Sequence, residues 1–188
     1  MNHILPMSSA IFIDRDGVII HNQASYVRSL KQVTIYPRAV QALALAAQSR
    51  YKIVVVTNQA GVGKGLYSLE TVHEIHHEIR RAVEQAGGRI DAFYICPHRS
   101  DEQCECRKPK PGLLKQAACD LKIDLAGSYM IGDALSDLLA GQLAGVKESM
   151  LVLTGRGLAQ RKLAAAGAWA APLNVRRSLM EAVRYILF

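Results

Sequence analysis

The chain lacks the features that mark membrane-spanning, exported and disordered proteins. Its apolar runs, such as residues 53–56, are far too short to cross a bilayer. Residues 1–6 contain no charged segment followed by an extended apolar stretch, which a secretion signal requires. No region is rich in proline, serine or glutamine. We therefore expect a globular cytoplasmic protein, and a length of 188 residues favours a single domain over residues 1–188.

Cysteine is scarce and unevenly distributed. The chain has four cysteines, and three of them lie between Cys96 and Cys106 with His98 among them. Their number alone leaves a disulfide between Cys96 and Cys104 possible, but the clustering and the missing secretion signal favour a metal site. Cys119 stands apart within an apolar helical pattern, so we expect it to be buried.

Acidic residues are outnumbered, and the formal net charge is +7. Such a charge suits nucleic acid, a membrane surface or small anionic substrates. The basic residues are dispersed, and none of their local groups is long enough to form a nucleic-acid-binding tail. A solvated surface is therefore the favoured explanation. We expect a monomer without membrane or nucleic-acid partners.

Short apolar segments alternate with helical patterns along the chain. Strands alternating with helices require a parallel sheet with right-handed crossovers, so the sequence predicts an α/β fold. Strands are predicted at residues 10–13, 53–56, 92–95, 128–131 and 150–153. Helices are predicted at residues 38–49, from residue 69 to Gly87, at residues 112–122, up to Ala144, and at residues 158–166 and 176–187.

Two of these helices carry more specific expectations. In the helix at residues 38–49, Val40, Leu43 and Ala47 are expected to face the core. The helix that begins at residue 69 carries three histidines with no accompanying acidic motif. A solvated face is therefore favoured over a metal site for His73, His76 and His77.

The first strand ends on two acids, Asp14 and Asp16, which Gly17 follows. Ligands of open α/β sheets bind outside the carboxyl ends of the strands. Alternate residues of an extended segment project to the same side, and glycine lets the chain turn away. The alternative is that both aspartates merely cap a helix or form a turn, but matching residues at other strand ends favour a functional site.

Polar residues follow three further predicted strands, namely Thr57 and Asn58, Arg107 and Lys108, and Asp133. Carboxylates suit Mg²⁺, and a metal with a lysine can neutralise a phosphate, so this edge of the sheet predicts metal-assisted phosphoryl transfer. The glycine-rich loop at residues 60–65 lacks the GxxxxGK[ST] pattern, so it does not predict a nucleotide site.

These motifs, in this order, resemble the phosphatases of the haloacid dehalogenase (HAD) superfamily: Asp14-x-Asp16, Thr57, Lys108 and Gly132-Asp133-x-x-x-Asp137. Within this superfamily, the chain resembles the heptose 1,7-bisphosphate 7-phosphatases and the related histidinol-phosphate phosphatases. The motifs that carry this resemblance are Asp14-Arg15-Asp16-Gly17, Val56-Thr57-Asn58-Gln59, the Cys/His cluster and Cys106-Arg107-Lys108-Pro109. The resemblance implies a three-layer Rossmann-like fold with a parallel central sheet, a zinc-bound loop and no large cap domain.

The resemblance also implies roles for individual residues. Asp14 would be the nucleophile that forms an aspartyl phosphate, and Asp16 would act first as general acid and then as general base. Thr57 and Lys108 would bind phosphoryl oxygens. Asp14, the backbone carbonyl of Asp16, and Asp133 would hold Mg²⁺. The substrate contacts would come from Arg107, Asn58, Gln59, Asn22 and Tyr26. Independently of the resemblance, the polar segment at residues 18–30 beside the two acids is a candidate lid or specificity loop.

The Cys/His cluster supplies three thiolates and one imidazole, which is a complete tetrahedral set for Zn²⁺. No position is left for water, so the zinc is expected to be structural and to hold the loop that presents Arg107 and Lys108. The four expected ligands are Cys96, His98, Cys104 and Cys106.

The function implied is hydrolysis of the 7-phosphate of D-glycero-D-manno-heptose 1,7-bisphosphate, a step towards nucleotide-activated heptose and lipopolysaccharide core. The alternatives are a histidinol-phosphate phosphatase, a nucleic-acid 3′-phosphatase and a catalytically inactive, zinc-stabilised binding module. Two departures from the family pattern concern the substrate. Ala134 stands where a lysine often follows the metal aspartate, and the segment at residues 21–25 lacks the usual acidic residue and glycine.

Overall fold

The computed structural model describes residues 7–23 and 25–188, and the statements above on residues 1–6 and on Ala24 lie outside this part. The described residues form one sheet of six parallel strands in the order β3-β2-β1-β4-β5-β6. The strands are β1 (Ala10–Ile13), β2 (Lys52–Asn58), β3 (Ala92–Cys96), β4 (Tyr129–Gly132), β5 (Glu148–Val152) and β6 (Asn174–Arg176).

Helices cover both faces of the sheet. They are α1 (Pro37–Ala46), α2 (Ala60–Gly63), α3 (Leu69–Gln85), α4 (Gly112–Leu121), α5 (Leu135–Ala144), α6 (Gly157–Leu163) and α7 (Leu179–Leu187), and a π-helical turn at Ala164–Ala168 extends α6. Ser68 caps α3, since its side chain accepts a hydrogen bond from the backbone N–H of Thr71. No helix within residues 7–23 and 25–188 has the length and apolar composition that crossing a bilayer requires.

The core consists of two apolar layers separated by the central strands. β1 is completely buried, and its alternate residues face opposite layers. Ile11 and Ile13 pack in the layer of α1, α3 and α7, whereas Phe12 packs in the layer of α4 and α5. This arrangement confirms the predicted three-layer α/β fold. Within the described residues no large cap domain interrupts it.

Two predictions about individual helical residues were wrong. In α1 only Leu43 of the three expected residues is fully buried, since the buried stripe is Ala39, Ala42, Leu43 and Ala46, and Val40 and Ala47 are half-buried. Cys119 is exposed. It lies two positions beyond the buried Ala117, about 200° further around α4, and therefore on the opposite face.

Two further predictions were wrong: the start of the last helix and the exposure of His76 on α3. The segment at residue 176 is the end of the edge strand β6, and the last helix begins only at Leu179. β6 has three residues, none fully buried, so no apolar run announced it. His76 is buried, in contrast to the solvated face expected for it, while His73 and His77 are exposed.

Candidate active site

The carboxyl ends of β1, β2 and β4 meet at one edge of the sheet because β1 pairs with both neighbours in parallel. Ile13 lies opposite Val55 of β2 and Ile131 of β4, and the backbone N–H of Asp14 donates to the Ile131 carbonyl at 2.9 Å. The residues that follow these strands are therefore close together, as the sequence predicted.

A cleft of about 720 Å³ opens at this edge. It brings together eight of the predicted catalytic and substrate-binding residues from four separate segments of the chain. They are Asp14, Asp16, Asn22, Tyr26, Asn58, Gln59, Arg107 and Lys108. Two other predicted site residues, Thr57 and Asp133, are buried immediately behind this lining.

Lys108 lines the cleft and is buried. Its Nζ atom is 2.7 Å from Oδ1 of Asp14 and 2.7 Å from Oδ1 of Asp137, and it donates to the Val56 carbonyl at 2.8 Å. Burial lowers the pKa of Lys108, but the two carboxylates outweigh that effect, so the pKa is above its usual value. Lys108 therefore carries a fixed positive charge.

The two carboxylates that contact Lys108 belong to a cluster of three buried aspartates. Oxygen atoms of Asp14, Asp133 and Asp137 lie within 4.8 Å of one another. Burial raises the pKa of Asp14 to about 6, helped by the charges of Asp137 and Asp16 and opposed by Lys108. Burial and the charge of Asp14 likewise raise the pKa of Asp133, against the effect of Arg156. Such a cluster favours a divalent cation with hard oxygen ligands.

Arg156 follows β5 and engages Asp133. Its backbone N–H donates to Oδ2 of Asp133 at 2.8 Å, and its Nη2 donates to Oδ1 at 2.9 Å. Gly17 permits the close approach around this carboxylate. Its φ of +83° is left-handed, and a Cβ atom at this position would overlap the Asp133 side chain.

A hydrogen-bond network fixes Asp16. Arg15, which is buried, donates from Nε and Nη2 to both carboxylate oxygens at 3.1 Å. Gln59 donates from Nε2 to Oδ2 of Asp16 at 2.9 Å and to Thr57 at 2.8 Å. Its Oε1 accepts from Arg15 and from Tyr67. The amide of Gln59 is thus fully used inside the protein, which suits a positioning role.

Asn58 joins β2 to the loop that carries Lys108. Its Nδ2 donates to the Lys108 carbonyl at 3.0 Å, and its Oδ1 accepts from the Lys108 backbone N–H at 3.1 Å. Arg107 lies half-buried beside it and uses Nη1 to donate to the His98 carbonyl at 3.3 Å. Its other donors remain available to a ligand. The structure thus couples the lysine and arginine to both β2 and the Cys/His cluster.

The loop before α1 contributes the outer wall of the cleft. Asn22 is exposed, and Tyr26 has a left-handed φ of +72°. The Tyr26 hydroxyl accepts a hydrogen bond from Lys64 Nζ at 3.1 Å. Both residues line the cleft, so their predicted contact with a sugar is sterically feasible and stays a prediction.

The Cys/His cluster forms a compact group. Sγ of Cys104 is 3.6 Å from Sγ of Cys96 and 3.5 Å from Sγ of Cys106, and Nδ1 of His98 is 3.2 Å from Sγ of Cys106. A disulfide requires a separation of about 2.05 Å, which excludes the disulfide alternative here. Four ligands about 2.3 Å from a tetrahedral metal would be about 3.8 Å apart, so the cluster can hold a zinc ion.

The sequence assigns no role to three residues of the site: Asp137, Arg156 and Arg15. Asp137 is recognisable there only as part of the Gly132-Asp133-x-x-x-Asp137 motif. The sequence does contain a pattern that could have indicated Arg156 as a site residue, because polar residues follow the fifth strand as they follow the other strands of the site. Arg15 gave no signal, since a basic residue between two acids is usually solvated, and here it is about 1% exposed.

Comparison with known proteins agrees with this geometry. The family model described as HAD-hydrolase-like matches residues 105–182. The D-glycero-β-D-manno-heptose-1,7-bisphosphate 7-phosphatase of Bordetella bronchiseptica is 40% identical over 147 residues, which cover 78% of this chain and 82% of the relative. The enzyme of the same name from Haemophilus ducreyi is 36% identical over 94% of this chain and 97% of its own length.

A crystal structure shows the same architecture. The D,D-heptose 1,7-bisphosphate phosphatase of B. bronchiseptica, solved with magnesium and phosphate, superposes with a TM-score of 0.87 at 37% identity and covers 95% of this chain and 98% of that one. The superposition thus covers nearly the whole chain. The chain belongs to the heptose-1,7-bisphosphate 7-phosphatase family of HAD-like hydrolases.

Proposed function

We propose that the protein is a Mg²⁺-dependent phosphatase that removes the 7-phosphate of D-glycero-β-D-manno-heptose 1,7-bisphosphate. The observation that carries the proposal is the position of Lys108, buried at hydrogen-bonding distance from both Asp14 and Asp137. A fixed cation next to a buried nucleophile at a strand end suits phosphoryl transfer. The printed names of the relatives supply the substrate.

In the first step, an oxygen of Asp14 attacks the phosphorus atom, and the bond from phosphorus to the sugar oxygen breaks. Asp16 gives a proton to the departing oxygen, which leaves as the sugar hydroxyl. Lys108 neutralises charge on the phosphoryl oxygens. Arg15 and Gln59 hold the carboxylate of Asp16 through three hydrogen bonds, so its position is fixed before the substrate arrives.

In the second step, a water molecule attacks the phosphorus of the aspartyl phosphate. Asp16 accepts a proton from this water, and the bond between phosphorus and the Asp14 oxygen breaks. Inorganic phosphate leaves, Asp14 is again a carboxylate, and Asp16 is again protonated. Thr57 and Lys108 would contact phosphoryl oxygens in both steps.

The acidic cluster suits a magnesium ion. Asp14 and Asp133, with the backbone carbonyl of Asp16, are the proposed ligands, and Asp137 is held by Lys108 nearby. Burial raises the pKa values of Asp14 and Asp133, and a divalent cation bound between them would favour their charged forms. When bound, Mg²⁺ polarises the phosphoryl group and offsets the developing charge.

The Cys/His cluster suits a structural zinc ion held by Cys96, His98, Cys104 and Cys106. Arg107 and Lys108 follow Cys106 directly, and Arg107 also donates to the His98 carbonyl. Zinc would therefore fix the segment that supplies two cations to the cleft. We propose that Arg107 recognises the second phosphate or the sugar, because a guanidinium binds phosphate through two parallel hydrogen bonds.

We also propose that residues 1–188 act as one domain and as a monomer. The continuous sheet of the described residues supports the single domain.

The test is phosphate release from both anomers of heptose 1,7-bisphosphate and from histidinol phosphate, each with and without Mg²⁺. We expect Mg²⁺-dependent turnover with kcat/KM highest on the β anomer. Faster turnover of histidinol phosphate would identify histidinol phosphate as the substrate instead, since hydrolysis of either ester uses the same chemistry. Asp14→Asn is the matched variant, and turnover that survives in it would refute the nucleophilic role of Asp14.

A further inference from the structure

A second cavity of about 610 Å³ lies at the outer edge of the sheet, and it shares no lining residue with the catalytic cleft. Leu153, which follows β5, and Arg177, which follows β6, both line it. The cavity therefore opens beside the carboxyl ends of two parallel strands, where α/β sheets bind ligands. Its volume is in the range of small-molecule sites.

Three arginines line this cavity: Arg161, Arg176 and Arg177. Glu181 is the one acid in the lining, and its ion pair with Arg177 is loose at 3.8 Å. Arg161 makes no ion pair with any residue of the described chain. The lining thus has surplus positive charge on guanidinium groups, which suit a phosphate.

Arg176 is held in place by its neighbours. Its Cζ atom lies 3.9 Å from the centroid of the Tyr185 ring, and its Nη1 donates to the Val175 carbonyl at 2.9 Å. A guanidinium fixed in this way loses little side-chain entropy when it binds a ligand. Arg176 is therefore a preorganised donor at the wall of the cavity.

Trp169, the single tryptophan of the chain, also lines the cavity. Its indole Nε1 is buried and has no hydrogen-bond partner among the described residues. A buried donor without an acceptor is costly, and a rotation of the indole ring that brought Nε1 to an acceptor on a ligand would relieve that cost. The remaining lining includes Leu153, Leu173 and Val175, which together with the indole ring form an apolar wall suited to a planar group.

We propose that this cavity is a binding site for a phosphate ester that carries a planar aromatic group, the chemical class of a nucleoside monophosphate. The arginines take the phosphate, and the tryptophan and its apolar neighbours take the planar group. The proposal does not depend on the proposed phosphatase activity, because the two sites share no residue.

The probe is AMP, titrated into the full-length protein. Fluorescence excited at 295 nm reports on Trp169 alone, and calorimetry measures binding even where fluorescence does not respond. We expect saturable binding of AMP. Adenosine contains only the planar group and inorganic phosphate only the anionic group, so each should bind at least about tenfold more weakly than AMP.

Arg161→Gln should weaken AMP binding about tenfold, since it removes one charge-assisted contact. Arg184→Gln removes the same charge from an exposed residue of α7 outside the lining, and it should change the affinity less than about twofold. No saturable binding by calorimetry, or equal affinities in both variants, would overturn the proposal. If Arg107→Gln abolished AMP binding instead, AMP would occupy the catalytic cleft, and this result would also overturn the proposal.

Discussion

Lys108 bridges two buried carboxylates, with its Nζ atom 2.7 Å from Oδ1 of Asp14 and 2.7 Å from Oδ1 of Asp137. The sequence separates these residues by 94 and 29 positions, yet all three side chains are almost fully buried at one point. Two anions and one cation taken out of water together are stable only as a group. Stability and chemistry therefore depend on the same lysine.

Lys108→Met should lower both activity and stability. The variant leaves Asp14 and Asp137 buried without their cation, which we expect to reduce the free energy of unfolding by about 3–5 kcal/mol at pH 7.5. The loss of a preorganised charge on the phosphoryl group should reduce kcat by about 10²-fold or more. Urea denaturation and phosphate release measure the two effects.

The matched control for this variant is Lys110→Met. The Lys110 side chain is 42% exposed, and its ion pair is with the exposed Glu105, so the change should cost less than about 1 kcal/mol and leave kcat within about twofold. Equal effects of the two substitutions would contradict the special role of the buried lysine.

Arg156→Gln should tighten Mg²⁺ binding. In the structure Nη2 of Arg156 is 2.9 Å from Oδ1 of Asp133, so the guanidinium competes with a cation for this carboxylate. Its removal should lower the dissociation constant for Mg²⁺ about threefold to tenfold, measured by calorimetry without substrate. The backbone N–H of residue 156 still holds Oδ2 in the variant. Weaker Mg²⁺ binding would show that the arginine supports the metal site instead.

Cys104→Ser should release zinc and impair catalysis. The variant breaks a set of four ligands whose atoms lie within 4.8 Å of one another, so we expect less than one zinc per chain and a lower melting temperature. Because Arg107 and Lys108 follow this loop, kcat/KM should fall as well. Cys119→Ser is the matched control, since Cys119 is exposed and outside the cluster. A full zinc content in Cys104→Ser would exclude this ligand set.

The sequence predicted the fold well wherever burial follows from a simple run or period. The apolar runs gave five strands, and the polar residues after them lie at one edge because the strands are parallel. β6 could not be predicted, since a half-buried edge strand of three residues needs no apolar pattern. The face of α1 was misjudged because its buried positions are mostly alanines, whose identity carries little information on burial.

In the site, the sequence supplied residues and their order but few of their contacts. The network of Gln59 with Arg15, Asp16, Thr57 and Tyr67 depends on side-chain geometry that spacing does not encode. His76 was misjudged for a different reason. It lies four positions after Val72 and three before Ile79, on the buried stripe of α3, and only its polar identity suggested exposure.

His76 should make the protein sensitive to mild acid. Burial lowers its pKa to about 2, and Arg15, whose Nη1 lies 3.3 Å from Nε2, adds to this effect. The imidazole is therefore neutral in the folded state but takes up a proton in the unfolded chain below about pH 6.5. Stability from this group is present above pH 6.5 and is lost as the pH falls. Between pH 7 and pH 5 the loss should be about 2 kcal/mol.

The measurement compares urea denaturation of the parent, His76→Gln and His73→Gln at both pH values. Asp14 changes the stability in the opposite direction as the pH falls. Its pKa is raised to about 6, so the folded state takes up a proton at Asp14, which stabilises it relative to the unfolded chain. The contribution of His76 is therefore the difference between parent and variant. His76→Gln should remove the loss of about 2 kcal/mol, whereas His73→Gln, at an exposed position, should retain it. An unchanged pH dependence in His76→Gln would mean that the imidazole is protonated inside the fold.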